Sequence, residues 1–141
     1  MGEMNKSRVL FLCVGNSCRS QLAEAIVNAR LGAEWEASSA GSRPAGQVHP
    51  MAIQVLSEIG INHQGRPKSI NEFLGRSFDV VVTLCDDSAD NCPVWLGKGR
   101  KLHYPFPDPA AVTGSEEEIT QAFRQVRDAI TAVVIPLLSD K

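Results

Sequence analysis

The run Arg8-Val-Leu-Phe-Leu-Cys13, which ends two residues before Gly15, constrains this chain more than any other stretch. It is short and apolar at every position after the arginine, the pattern of a buried strand in a parallel sheet. Helical spacing follows at Leu22, Ala23, Ile26, Val27, Ala29 and Arg30, giving a helix from Ser20 to Leu31 with Gly32 as a left-handed cap. Trp35 to Ala40 reads as a second strand closed by Gly41. Pro50 suits a first helical turn, and Met51, Ile53, Val55, Leu56 and Ile59 carry that helix to Gly60. Three consecutive valines make Phe78 to Leu84 the most strand-like segment, and Lys101 to Phe106 is a weaker fourth strand. Ser115 and Glu118 have the spacing of a capping box for a last helix running toward Leu138, which Pro136 is expected to bend or fray.

Strand and helix thus alternate. The expectation is an α/β fold, a four-stranded parallel sheet with helices on both faces and sites at the carboxyl ends of its strands. Cys13 and Cys85 both stand at such ends. With 141 residues, the chain suits one domain spanning 1–141.

Apolar residues at 43% and charged residues at 21% fit a soluble globular protein. A formal charge of −2 gives no reason to expect nucleic acid or an anionic membrane as partner. No stretch approaches the roughly 20 apolar residues of a membrane span, and Val9 to Val14 is too short for a signal core. The expected compartment is cytoplasmic, where thiols stay reduced, and a monomer is the default. Cys13, Cys18, Cys85 and Cys92 then point to nucleophilic, redox or metal roles rather than structural disulfides. Zinc is disfavoured, because the cysteines lack structural-site spacing and no histidine completes a motif.

The segment Cys13-Val14-Gly15-Asn16-Ser17-Cys18-Arg19-Ser20 joins the first strand to the first helix. A small-residue loop there can turn its backbone N–H groups inward, and the helix terminus adds partial positive charge. Arg19 adds a planar, bidentate donor for two oxyanion oxygens. The same surroundings favour a thiolate at Cys13, making it a candidate nucleophile. Gly15 is expected to take a geometry that a Cβ would hinder, Asn16 tolerates a left-handed backbone, and Ser17 and Ser20 could hold the loop open or donate to the sulfur. Cys18 reads as packing under the loop, with an off-pathway Cys13–Cys18 disulfide as its lesser role.

Val9 to Glu24, VLFLCVGNSCRSQLAE, resembles the signature of the low-molecular-weight protein tyrosine phosphatases and of the arsenate reductases that share their fold. The resemblance continues through Ser38-Ser-Ala-Gly41, Pro50-Met-Ala, Asp79 to Cys85 and Phe106-Pro-Asp108-Pro109, nearly the whole chain. It implies Cys13 as nucleophile, Arg19 as oxyanion clamp and Asp108 as general acid, with Ser39 orienting Asn16. Gln21 stands where phosphatases usually carry proline, and in this the chain is similar to thioredoxin-coupled arsenate reductases. Some relatives bind potassium through groups equivalent to Asn16, Glu24 and Ser39; Lys68 could supply a built-in cation instead. No tightly bound cofactor is expected.

Either activity suits the loop, so Thr83 to Trp95 has to discriminate. Hydrolysis needs one cysteine, whereas reducing arsenate needs two electrons and hence a further thiol. The resemblance implies a relay from Cys13 to Cys85 to Cys92, recycled by thioredoxin, with a phosphatase or a glutaredoxin-coupled reductase as the alternative readings. Phosphate and sulfate are the expected competing oxyanions. A helical Cys85–Cys92 segment would separate the two Cα atoms by roughly 10 Å, against about 4.4–6.8 Å for a disulfide, which predicts a redox loop that rearranges. The phosphatases place aromatic residues after the acidic residue, but Asp108-Pro-Ala-Ala-Val has none, so a bare oxyanion fits better than a phosphotyrosyl peptide. His49, His63 and His103 read as helix-start, loop and strand-end surface residues, and Trp95 as part of a docking surface for a reductant or as exposed-loop packing.

Overall fold

The computed structural model describes residues 6–85 and 93–139. Its four strands are β1 (Ser7–Cys13), β2 (Trp35–Gly41), β3 (Val80–Thr83) and β4 (Arg100–His103), all parallel, in the order β2-β1-β3-β4. Three α-helices, α1 (Arg19–Arg30), α2 (Pro50–Ser57) and α3 (Glu116–Ser139), accompany them, with short 3-10 helices at Ile70–Phe73 and Pro109–Ala111. This is the expected four-stranded parallel α/β sheet, but among the described residues the three α-helices pack on one face. The other face is covered by the Ile70–Phe73 3-10 helix with Phe78 and Trp95 rather than by an α-helix.

Central strand β1 needs apolar residues on both sides, and Val9, Leu10, Phe11 and Leu12 are all fully buried. Alternation divides them between two cores. Val9 and Phe11 face α1, α2 and α3, packing with Leu22, Ile26, Val55, Phe123 and Ile130. Leu10 and Leu12 face the other way, toward Phe73, Phe78 and Trp95. Phe123 has no exposed surface and its ring lies 4.7 Å from that of His49. Phe123→Ala should therefore cost about 3–5 kcal/mol of stability, read from urea unfolding of the purified variant. A loss below about 1 kcal/mol would show that the helical core collapses around the gap.

The capping box forms as expected. Ser115 Oγ accepts from the Glu118 N–H at 3.1 Å, and Glu118 Oε1 accepts from the Ser115 N–H at 2.8 Å. Pro50 occupies the first turn of α2 behind His49, whose Nδ1 accepts from the Met51 N–H. That helix stops at Ser57 rather than running on to Gly60, which takes φ +82 just beyond the end. Helix α3 continues through Pro136 to Ser139. Gly32 does not supply the left-handed cap, because its φ is not positive; a Cβ there would lie 2.4 Å from the Asn28 carbonyl oxygen, so glycine is needed for close approach. Strands β3 and β4 are shorter than expected at both or one of their ends, since Leu84, Tyr104 and Phe106 leave the ladder while still bonding across it.

The chain leaves β1 for β2 on one side and later returns to β3 on the other. That reversal opens a crevice at the carboxyl ends of β1 and β3. The register pairs Leu12 with Thr83, so Cys85 stands one residue beyond the level of Cys13 on the neighbouring strand.

Candidate active site

At the end of β1, the loop from Val14 to Cys18 is tied down from outside by its own carbonyls. Val14 O accepts from the Arg43 N–H, Gly15 O from Ala45 and Ser17 O from His49, at 2.9, 2.9 and 3.0 Å. In a planar trans peptide the N–H points opposite to the carbonyl. The N–H groups of Gly15, Asn16 and Cys18 therefore turn away from the 43–49 segment. Gly41, paired with Cys13, lets β2 approach this closely, because a Cβ there would lie 2.3 Å from Val14 O.

The left-handed residue of the loop is Asn16, at φ 51. Gly15 has no positive φ, and a Cβ there would meet only the Ser17 Cβ at 3.9 Å, so the expected demand for glycine at that position is corrected. Asn16 is fully buried. Its Oδ1 accepts from the Lys68 N–H at 2.8 Å and from Gln21 Nε2 at 3.1 Å, and its Nδ2 donates to Ser20 Oγ at 2.7 Å. Ser20 Oγ in turn lies 2.8 Å from Cys13 Sγ. The expectation that Ser39 orients Asn16 does not hold. Ser39 Oγ donates to Glu24 Oε1 instead, and Lys68 Nζ lies 3.7 Å from that same oxygen.

Arg19, the first residue of α1, is nearly buried, and its Nη1 donates to the Phe106 carbonyl at 3.1 Å. Phe106 lies two residues before Asp108, so this bond ties the oxyanion-type loop to the acidic one. Asp108 caps the short Pro109–Ala111 helix by accepting from the Ala110 N–H at 3.0 Å. Cys13, Gly15, Ser17, Cys18, Arg19, Asp108 and Ala110 enclose one cavity of about 100 Å³. Four groups proposed from sequence for this place, Cys13, Arg19, Asp108 and the loop itself, thus meet in one hollow. Ser17 Oγ turns elsewhere, donating to the Gln47 carbonyl.

Cys13 and Cys18 are both free thiols, but they differ in kind. Burial, reinforced by the charges of Asp108 and Cys13, pushes the Cys18 thiol up to about 12. It stays protonated at neutral pH and does not compete as a nucleophile. Cys85 is fully buried and disulfide-bonded. Cys92 and the expected rearranging segment around it lie outside the described residues.

Three expectations need correction. Trp95 is neither a docking surface nor exposed packing: it is 3% exposed, donates to the Lys98 carbonyl and packs edge-on against Phe78 at 5.7 Å. Its neighbours Val94 and Leu96 are the exposed ones. His63 and His49 are half-buried rather than surface residues, because His63 bonds to Gln21 and His49 stacks on Phe123. His103 is exposed as expected. Among the described residues no group of three or more His, Cys, Asp or Glu is placed to hold a metal ion, and no helix is long and apolar enough to cross a membrane.

A free thiol and a buried arginine converge at the carboxyl edge of the sheet, where they line the same hollow. That arrangement defines a class of protein with a cysteine–arginine loop suited to a tetrahedral oxyanion. Comparison places the molecule more closely. The family model described as low molecular weight phosphotyrosine protein phosphatase matches residues 8–140, and the chain belongs to that family. The chain is 44% identical over 128 residues to an arsenate reductase of Halalkalibacterium halodurans, covering 90% of this chain and 91% of that one. Its structure is similar to that of an arsenate reductase in the phosphate binding state, with TM-score 0.79 and 30% identity over 95% of this chain and 98% of the other. A thioredoxin-dependent arsenate reductase of Corynebacterium glutamicum gives TM-score 0.70 and 28% identity, covering 96% of this chain and 64% of that one.

Proposed function

We propose that the chain is an arsenate reductase that converts arsenate to arsenite and is recycled by thioredoxin. The observation that carries this reading is the hollow shared by Cys13, Arg19 and Asp108, whose rim beyond Asp108 is the methyl of Ala110 rather than an aromatic wall. The chain's identity to curated arsenate reductases supports the choice of substrate.

Arsenate sits on the loop amides with two oxygens on the Arg19 guanidinium. The Cys13 thiolate attacks arsenic, and Asp108 protonates the departing oxygen, which leaves as water. The Cys85 thiolate then attacks the Cys13 sulfur. The S–As electron pair stays on arsenic, reducing As(V) to As(III), and arsenite leaves a Cys13–Cys85 disulfide. Cys92 attacks Cys85, regenerating the Cys13 thiolate and forming a Cys85–Cys92 disulfide, which a thioredoxin dithiol reduces. Phosphate and sulfate compete for the same loop. The reading gives the protein no tightly bound cofactor, and Lys68 Nζ, 3.7 Å from Glu24 Oε1, supplies a built-in cation at the place where some relatives bind potassium.

A second reading, aryl phosphate hydrolysis, draws on the family and on the same three residues, and a weak phosphatase activity is compatible with the first. One assay separates them. Purified protein with thioredoxin, thioredoxin reductase and NADPH should consume NADPH only when arsenate is added, and glutaredoxin with glutathione should substitute poorly. Hydrolysis of an aryl phosphate without any arsenate-dependent NADPH loss would make the chain a phosphatase.

A further inference from the structure

Gln21 is fully buried beside the loop, and its amide is fully engaged. Its Nε2 lies 3.2 Å from Asn16 O, 3.1 Å from Asn16 Oδ1 and 3.0 Å from Arg66 O, three acceptors that require the nitrogen end there. Its Oε1 lies 2.7 Å from His63 Nε2. An amide oxygen carries no hydrogen, so the His63 Nε2–H donates to it. Gly65 closes the space around this pair: a Cβ there would stand 2.5 Å from His63 Nε2 and 2.6 Å from Gln21 Oε1.

We propose that Gln21, with its amide held in one orientation by His63, is a positioning residue that aims the Ser20 hydroxyl at the Cys13 sulfur. The proposal rests on Cys13 being the nucleophile. The two ends of a glutamine amide have nearly the same shape, and only their partners tell them apart. His63 is the partner that marks the oxygen end. With the nitrogen end fixed on Asn16, Asn16 keeps its left-handed backbone and points Nδ2 at Ser20 Oγ. Ser20 Oγ accepts there, which leaves its own hydrogen for the sulfur 2.8 Å away. A donated hydrogen bond favours the thiolate over the thiol.

Asn16, Ser20 and Gln21 have no exposed surface, so water does not readily replace a lost partner. The charged groups acting on His63 are Glu24 and Lys68. Burial holds the His63 ring below its usual range, Glu24 opposes this and Lys68 adds to it. The ring is therefore neutral at pH 7, its proton on Nε2. Protonation in acid adds a hydrogen at Nδ1 and leaves the bond to Gln21 in place.

The test is the pH dependence of Cys13 alkylation by iodoacetamide in the reduced full-length chain, with the labelled peptide identified by mass spectrometry. In Gln21→Leu, His63→Ala and Gly65→Ala the midpoint should rise by about half a unit to one unit, with alkylation at pH 7 at least about threefold slower. His63→Gln keeps an N–H donor and should restore most of the wild-type midpoint. If Gln21→Leu folds poorly, His63→Ala and Gly65→Ala still decide. Midpoints within about 0.2 unit of wild type in both would reduce Gln21 to packing and overturn the proposal. Alkylation needs no arsenate. A shifted midpoint in a chain that fails to reduce arsenate would sink the functional reading alone.

Discussion

Serine at position 13 should leave no arsenate turnover, a loss of at least about 10⁴-fold, because a hydroxyl in place of the thiolate neither attacks arsenic readily nor forms a disulfide. The companion variants give the order of events. Cys85→Ser should also stop arsenite release, since the thiol that the relay assigns to attack the Cys13 sulfur is gone and Cys18 stays protonated under the loop. Cys92→Ser should release about one arsenite per chain and then stall as a Cys13–Cys85 disulfide. Rapid-quench arsenite measurement with a count of free thiols reads all three. Repeated turnover by Cys92→Ser with thioredoxin would mean that the first disulfide is reduced directly, and the third thiol would lose its place in the mechanism.

Arg19→Lys carries the next largest effect, about 10²–10³-fold in kcat/KM. The change keeps the charge but removes the planar pair of donors. A lysine also lacks the reach and geometry to bond the Phe106 carbonyl while facing an oxyanion, so the Asp108 loop should loosen with it. Phosphate and sulfate should inhibit this variant more weakly in the same steady-state assay. A kcat/KM within about threefold of wild type would remove the guanidinium from oxyanion binding and leave it as the strut between two loops.

Much of this was legible in the chain because it is local. The β1–loop–α1 unit declares itself through an apolar run, a small-residue turn and helical spacing within 24 residues. Ser115 and Glu118 find each other because three residues of helix bring them together whatever else the fold does. Cys13, Arg19 and Asp108 were foreseen as one site largely through family resemblance, since Asp108 reaches the loop only after the sheet has formed. The Gln21 network had no such signal. Its partners Asn16, His63 and Arg66 span 50 positions of sequence, and a glutamine three residues before Glu24 and seven before Asn28 looks like part of an ordinary polar helix face. Trp95 misled for a related reason. It sits between Pro93 and the pair Gly97 and Gly99 that mark a loop, while the Phe73–Phe78 cluster that buries it comes from a separate segment. Gly32 and Gly41 are needed for close approach to a carbonyl oxygen, a steric reason that only the folded chain reveals, while Gly15 has neither a steric nor a conformational one.

The outward carbonyls of Val14, Gly15 and Ser17 have a thermodynamic consequence. A loop that waited for its anion to shape it would surrender backbone freedom on each encounter, at about 1–2 kcal/mol per residue fixed. Here folding has already met that cost, once, through the 43–49 segment. Capture of the oxyanion then exchanges hydration water for prearranged donors and orders little chain. On the proposed reading, affinity follows from how well those donors replace the anion's solvent shell, and product release does not wait for the loop to melt.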